Sequence, residues 1–264
     1  MVCRSAERGE SARQEIAKLT NNDKIKLVLA DVGELNQVRK AAKELQEAEP
    51  KIDCLVCNAG VLLNDRQETS EGNEATFASH FLGGSFLLSQ LLLPQLKKES
   101  ENEDPNSNSR VIFVTSGGML ITKFPNWQTV TSTGDEKEKY NGNFAYGYAK
   151  RGQVLLAERM ARDEPSVAWV TAHPGWAGTN AVDDAFGDNK KYLEPLRSTW
   201  QGAEGMTWLM QANRKELENG ALYLDRKPQK KHIAGPFMSE GSFTKNTEAD
   251  VDDMMTRLKE AAGL

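Results

Sequence analysis

Three cysteines in 264 residues are too few for a disulfide framework. The chain must therefore be held by burial, and the default expectation is a reducing, cytoplasmic setting that leaves an upstream targeting segment open. Two of the three form a Cys54-x-x-Cys57 pair inside the apolar run Ile52–Cys57. That run is expected to be a buried strand, on which positions three apart point to opposite faces, so neither a shared metal nor a disulfide is expected. Histidine is equally scarce: His80, His173 and His232 show no ligand spacing, and no metal site is expected. No apolar run approaches the roughly 18 residues that span a bilayer, and the stretch Met1–Glu7 lacks the apolar segment of a secretory signal. Positive charge is in deficit, with 33 Lys and Arg against 38 Asp and Glu. That balance excludes the basic footprint of a nucleic-acid binder.

What is present is an alternation of short apolar runs with helical stretches. Strands are expected at Met1–Cys3, Lys24–Ala30, Ile52–Cys57, Arg110–Thr115, Ser166–Ala172 and Ala221–Leu224. Between them, helices are expected at Ala6–Leu19, Leu35–Glu49, Gly72–Leu96, Tyr146–Arg162 and Gln201–Ala212, with a last helix near Asp250–Ala262. Glu99–Ser109 reads as a polar surface loop, and residues 119–143 show no period and read as a lid or insertion. Strict alternation implies βαβ units, and hence one α/β domain over residues 1–264: a doubly wound, Rossmann-like parallel sheet flanked by helices. Ligands bind such sheets at the carboxyl ends of the strands. Those ends carry Arg4, Asp31, Asn58-Ala59-Gly60, Ser116 and Pro174-Gly175.

The stretch around which the chain is organised is Tyr146-Gly147-Tyr148-Ala149-Lys150. Positions four apart on a helix share a face, and an ammonium beside a phenol is expected to lower the phenol's pKa, making it a usable proton donor or acceptor near neutral pH. Alone, the pair is a common solvated helix face. Its weight comes from the other strand-end residues.

Together, Asn58-Ala59-Gly60, Ser116, Tyr146-x-x-x-Lys150 and Pro174-Gly175 with Thr179 resemble the short-chain dehydrogenase/reductase family over nearly the whole chain. Four longer stretches strengthen the likeness: Arg110–Leu120, Tyr146–Val154, His173–Thr179 and Asp225-Arg226-Lys227-Pro228. The resemblance implies a nicotinamide-dependent interconversion of a carbonyl and an alcohol. In it Tyr146 is the general acid or base, Lys150 tunes Tyr146 and holds the nicotinamide ribose, and Ser116 hydrogen-bonds the substrate oxygen. Asn58, Ala59 and Gly60 would pack near the cofactor ribose, Asp31 and Val32 beside the adenine, and Thr179 at the nicotinamide carboxamide or the pyrophosphate, with Pro174 and Gly175 also at the cofactor. Arg4, at the position that reads the ribose 2′ group, favours NADP over NAD. The implied partner is a small, hydrophobic carbonyl or alcohol substrate, and a homo-oligomer is open.

Two features depart from the family pattern. Met1–Cys3 matches the family's second strand, so the first β-α unit and its glycine-rich turn are absent from residues 1–264. The strands Met1–Cys3 and Ile52–Cys57 are then expected to lose their shared neighbour, and an upstream segment, strand exchange or direct pairing are the possible remedies. A fragment of a longer chain is the expectation. His80 also stands where the family has asparagine; it is either a proton relay or a packed helix histidine with one satisfied nitrogen. These departures support an alternative reading, a non-catalytic binding module on the same fold.

Overall fold

A computed structural model describes residues 1–98, 109–179, 182, 187–233 and 239–264. The polar stretch expected as a loop at Glu99–Ser109 lies outside the described residues, apart from Ser109.

The chain runs β1 (Val2–Cys3), α1 (Ala6–Thr20), β2 (Val28–Leu29), α2 (Leu35–Ala48) and β3 (Cys54–Cys57). A broken helical region follows, made of α3 (Ala75–Phe77), a π-helix (Ala78–Leu87), α4 (Leu88–Leu91) and α5 (Leu93–Leu96). Then come β4 (Arg110–Val114), α6 (Trp127–Thr131), α7 (Gly142–Asp163), β5 (Ala168–Ala172), α8 (Thr199–Gln211), β6 (Leu222–Leu224), β7 (Lys227–Gln229) and α9 (Glu248–Ala262).

Local chemistry sets the helix ends. The Ser5 hydroxyl accepts from Arg8 N–H to start α1, and the Asn141 side chain accepts from Phe144 N–H to start α7. That cap places the start of α7 four residues ahead of the expected Tyr146. Ser198 with Gln201 and Thr247 with Asp250 form capping boxes for α8 and α9.

The strands form two sheets that are not joined by hydrogen bonds. One is the parallel pair β1–β2; the other has the order β3-β4-β5-β6-β7, parallel except for the antiparallel hairpin β6–β7. The division falls between the two strands expected to lose their shared neighbour, which do not pair directly. β7 lies beyond Ala221–Leu224, the last strand expected from the sequence. Its turn lacks glycine and so carried no hairpin signal.

Alternation along β4 and β5 sends side chains to opposite faces. Val111, Phe113 and Trp169 face a core built with α2, the π-helix, α7 and α9. Ile112, Val170 and Ala172 face a second core with Leu209 of α8 and Tyr223. The sheet is thus covered on both faces, which brings its strand ends to a single open edge. Val28, Ala30 and Ala41 form a separate small cluster under β1–β2.

The stretch 119–143 is anchored by its aromatics. Phe124 packs 5.7 Å from Phe81, and Trp127 packs 5.4 Å from Phe77, both edge to face. Tyr140 donates to the buried Glu74 carboxylate at 3.2 Å. Only the two ends of the stretch, at Ile121–Thr122 and Asn143, border the cavity described next.

Candidate functional site

Ser116 lies two residues beyond the end of β4 and faces the first turns of α7. Burial pushes the Tyr146 phenol pKa up, and a hydrogen bond with Ser116 opposes that shift. Lys150 is buried one turn further along α7, and its ammonium donates to the Val114 carbonyl at 2.7 Å. The Thr115 hydroxyl donates to the Lys150 carbonyl at 2.9 Å, tying strand exit to helix.

The sequence reading of the Tyr–Lys pair needs correction in one respect. The Lys150 nitrogen sits 5.3 Å from the centre of the Tyr146 ring, over its face rather than beside its oxygen. The phenol is therefore raised by burial, not lowered by the ammonium. The larger shift belongs to Lys150, which burial pushes down to about 7.

These groups line a cavity of about 590 Å³. Asn58, Gly60, Ser116, Tyr146, Lys150, Pro174, Gly175 and Thr179 all border it. Its remaining wall is mostly apolar, including Val61, Leu62, Ile121, Phe144, Trp176 and Met206. A second cavity of about 360 Å³ holds Arg4, Asp31, Val32, Ala59 and Gly60. Gly60 and Val61 belong to both, so the sequence-expected residues fall in two adjoining spaces. Arg4 donates to the Asp31 carboxylate at 3.3 Å. Arg8, in the first turn of α1, also borders the second cavity. The sequence reading did not single it out, because one arginine in a polar helix carries no local signal.

His80 is buried in the π-helix and packs edge to face on Tyr146 at 5.2 Å. Burial, then the Lys150 charge, hold its imidazole well below the usual range, so it is neutral. Its Nε2 donates to the Val61 carbonyl at 2.7 Å, leaving Nδ1 as a buried acceptor with no partner among the described residues. The ring is seated by the missing side chain of Gly60, where a Cβ would lie 1.8 Å from the imidazole. Gly60→Ala is accordingly expected to displace His80 and to lower stability by about 1–3 kcal/mol, read as a fall in urea midpoint at unchanged m-value. An unshifted midpoint would mean that the ring moves freely.

Cys54 and Cys57 are free thiols, pushed up by burial to about 11 and about 12. Among the described residues, no group of three or more His, Cys, Asp or Glu could hold a metal ion, and no helix is long and apolar enough to cross a membrane.

Comparison with known proteins places the chain among related sequences and folds. The sequence profile of the short chain dehydrogenase family matches residues 1–127. Human dehydrogenase/reductase SDR family member 12 is 35% identical over 235 residues, covering 88% of this chain and 70% of that protein. Bovine retinol dehydrogenase 12 is 29% identical over 234 residues, covering 86% of this chain and 69% of that protein. Among solved structures, NADPH-bound carbonyl reductase from chicken fatty liver superposes with a TM-score of 0.55 at 19% identity, over 84% of this chain and 82% of that one.

Proposed function

The chain belongs to the short-chain dehydrogenase/reductase family of NAD(P)-dependent oxidoreductases, and from that premise we propose that it interconverts a hydrophobic carbonyl compound and its alcohol, using NADP(H) with Tyr146 as the proton donor or acceptor. The observation that carries this reading is the placement of Ser116, Tyr146 and Lys150 around one largely apolar cavity.

The described residues fit a dinucleotide at both of its ends. Lys150, Asn58, Gly175 and Thr179 offer donors and close backbone approach for the nicotinamide ribose and carboxamide. Arg4 and Arg8 offer two guanidinium groups at the adenosine end, where a 2′-phosphate would need them. When bound, the nicotinamide supplies or accepts the hydride. The protein's task is then proton transfer and charge stabilisation. Burial keeps the Tyr146 proton in place at neutral pH, so the phenol can donate to a carbonyl oxygen as negative charge develops there. The Ser116 hydroxyl can hydrogen-bond the same oxygen. The apolar wall, from Val61 to Met206, favours an apolar substrate and excludes water. The NADPH held by the chicken carbonyl reductase supports the choice of cofactor.

A second reading stands beside the first. The cavity holds groups that could bind a small molecule without transferring a proton to it. A module that binds a ligand without turnover would share this geometry.

Fluorescence titration separates the two. NADPH is expected to bind at least about tenfold more tightly than NADH, since each charge-assisted phosphate contact contributes about 1.5–3 kcal/mol. Arg4→Ala combined with Arg8→Ala should bring the two affinities to parity. Equal affinities in the unsubstituted protein would overturn the NADP assignment, and binding of neither nucleotide would leave the non-catalytic reading.

A further inference from the structure

We propose that Arg197 is a positioning residue: together with the β6–β7 turn it fastens the Pro174–Thr179 loop, one wall of the catalytic cavity, against α8. This rests on the dehydrogenase reading of that cavity. It also gives a role to Asp225-Arg226-Lys227-Pro228, a stretch that resembles the family yet does not border the cavity.

Arg197 holds the loop by its backbone and its side chain together. Its N–H donates to the Trp176 carbonyl at 2.7 Å, and its own carbonyl accepts from Gly178 N–H at 2.9 Å. Ala177 is bracketed between them in a parallel bridge. The side chain then passes beneath Gly175, where a Cβ would lie 2.6 Å from Arg197 Nε. Gly175 has a φ of +73°, so glycine is required there both by conformation and by the close approach. The guanidinium ends on Asp225 in a two-pronged contact, Nη1 to Oδ1 at 2.6 Å and Nη2 to Oδ2 at 2.5 Å.

The turn that supplies Asp225 is itself unusual. Asp225 and Arg226 have φ values of +50° and +64°, the left-handed conformation that both central residues of a two-residue hairpin turn require. Asparagine and glycine hold such positions most easily. Here two oppositely charged residues hold them, and each has a charged partner outside the turn: Asp225 pairs with Arg197, and Arg226 pairs with Glu204 of α8. α8 brings Thr199, Gly202, Ala203 and Met206 to the cavity. It also packs closely on the loop, since a Cβ at Gly202 would lie 2.9 Å from that of Ala177. A turn outside the cavity therefore reaches both elements that form one of its walls. His173, a titratable group beside this cluster, is held below its usual range by burial, then by the Arg197 charge. Its Nδ1 accepts from Gly175 N–H at 3.2 Å.

The test uses Arg197→Ala, Arg197→Lys, Asp225→Asn and the Arg197→Ala/Asp225→Asn double variant. Asparagine keeps the left-handed preference at 225 and removes only the charge. Amide hydrogen exchange at Gly178 and Arg197 is measured without nucleotide, and KM and kcat are measured with NADPH and a carbonyl substrate. The pair is partly exposed, so a change of roughly fivefold is expected rather than a large one. Arg197→Ala should speed exchange and raise KM by about that factor, with kcat changing less than about twofold. Asp225→Asn should do the same, the double variant should be no worse than Arg197→Ala alone, and Arg197→Lys should recover part of the loss. Salt at about 0.5 M should move the unsubstituted protein toward the variants. Unchanged exchange in Arg197→Ala, or a double variant showing the product of the two single effects, would overturn the latch. Exchange needs neither cofactor nor turnover. A protein that reduced no carbonyl would thus refute the dehydrogenase reading separately from the latch.

Discussion

Tyr146→Phe is expected to abolish NADPH-dependent carbonyl reduction, with a loss of about 10³-fold or more in kcat, while leaving the fold intact. The phenol oxygen shares a hydrogen bond with Ser116, and losing it costs about 1 kcal/mol. The ring would remain, keeping its edge-to-face contact with His80 and its place under the Lys150 ammonium. The substitution therefore removes one transferable proton and little else. Ser116→Ala should follow with a loss of about 10²-fold, because it withdraws a donor from the developing oxyanion and keeps the proton source. Tyr148→Phe is the control: Tyr148 lies two residues on, stacks on Phe144 and does not border the cavity, and its variant should turn over normally. The measurement is NADPH oxidation at saturating substrate, with melting curves run in parallel. A Tyr146→Phe protein that turned over at the unsubstituted rate would end the acid–base assignment. The cavity would then be left as a binding site.

That Tyr146 and Lys150 share a helix face and that Ser116 lies at a strand end was legible from two periodicities, while their grouping in one site came from the family resemblance. A helix puts positions four apart on one face, and a parallel sheet puts its strand ends on one edge. The separation of β1–β2 from β3 was legible only through the family resemblance, because Met1–Cys3 matches the family's second strand. What could not be read depends on burial and on backbone register. The direction of the Tyr146 shift turns on whether the ammonium lies beside the oxygen or over the ring, and the four-residue spacing allows either. The π-helix at Ala78–Leu87 is a second case, hidden in a stretch that reads as ordinary helix. It widens the turn so that the Ser85 hydroxyl donates at 2.6 Å to the carbonyl of His80, five residues back. Gln153 of α7 donates to the same carbonyl at 3.0 Å. Those bonds fix the His80 backbone, while the Nε2 bond to Val61 holds the ring, and no local pattern announces them. The β6–β7 hairpin is a third, because Asp225-Arg226 adopts a turn usually marked by asparagine and glycine. Arg8 and Arg197 went unnoticed as well, since a lone arginine acquires meaning only from what the fold sets against it.

Lys150→Met is expected to lower turnover by about 10²-fold or more while raising stability at and below neutral pH. Lys150 is 3% exposed, and its ammonium has the Val114 carbonyl as its hydrogen-bond partner. Burial brings its pKa from 10.5 down to about 7, the Cys57 thiol opposing the shift slightly. The sign follows from proton binding in the two states. Below about pH 7 folded and unfolded chains both carry the proton, and the penalty for a buried ammonium is present in full. Above that pH the folded chain gives up the proton while the unfolded chain keeps it. The unfolded state then binds more protons, and stability rises with pH by at most about 1.4 kcal/mol per unit. The rise is clearest up to about pH 8.5, where unfolded cysteines begin to ionise. Beyond it Cys54 and Cys57, raised to about 11 and about 12 in the folded chain, make stability fall again. Urea unfolding at about pH 6.5, 7.5 and 8.5 should therefore show the unsubstituted protein approaching the variant as pH rises, because methionine has no proton to release. Parallel pH profiles for the two proteins would show that the ammonium is not penalised in the fold. Converging profiles together with lost turnover would mean that a residue which weakens the fold is needed at the site, as expected when an active site is built at the expense of stability.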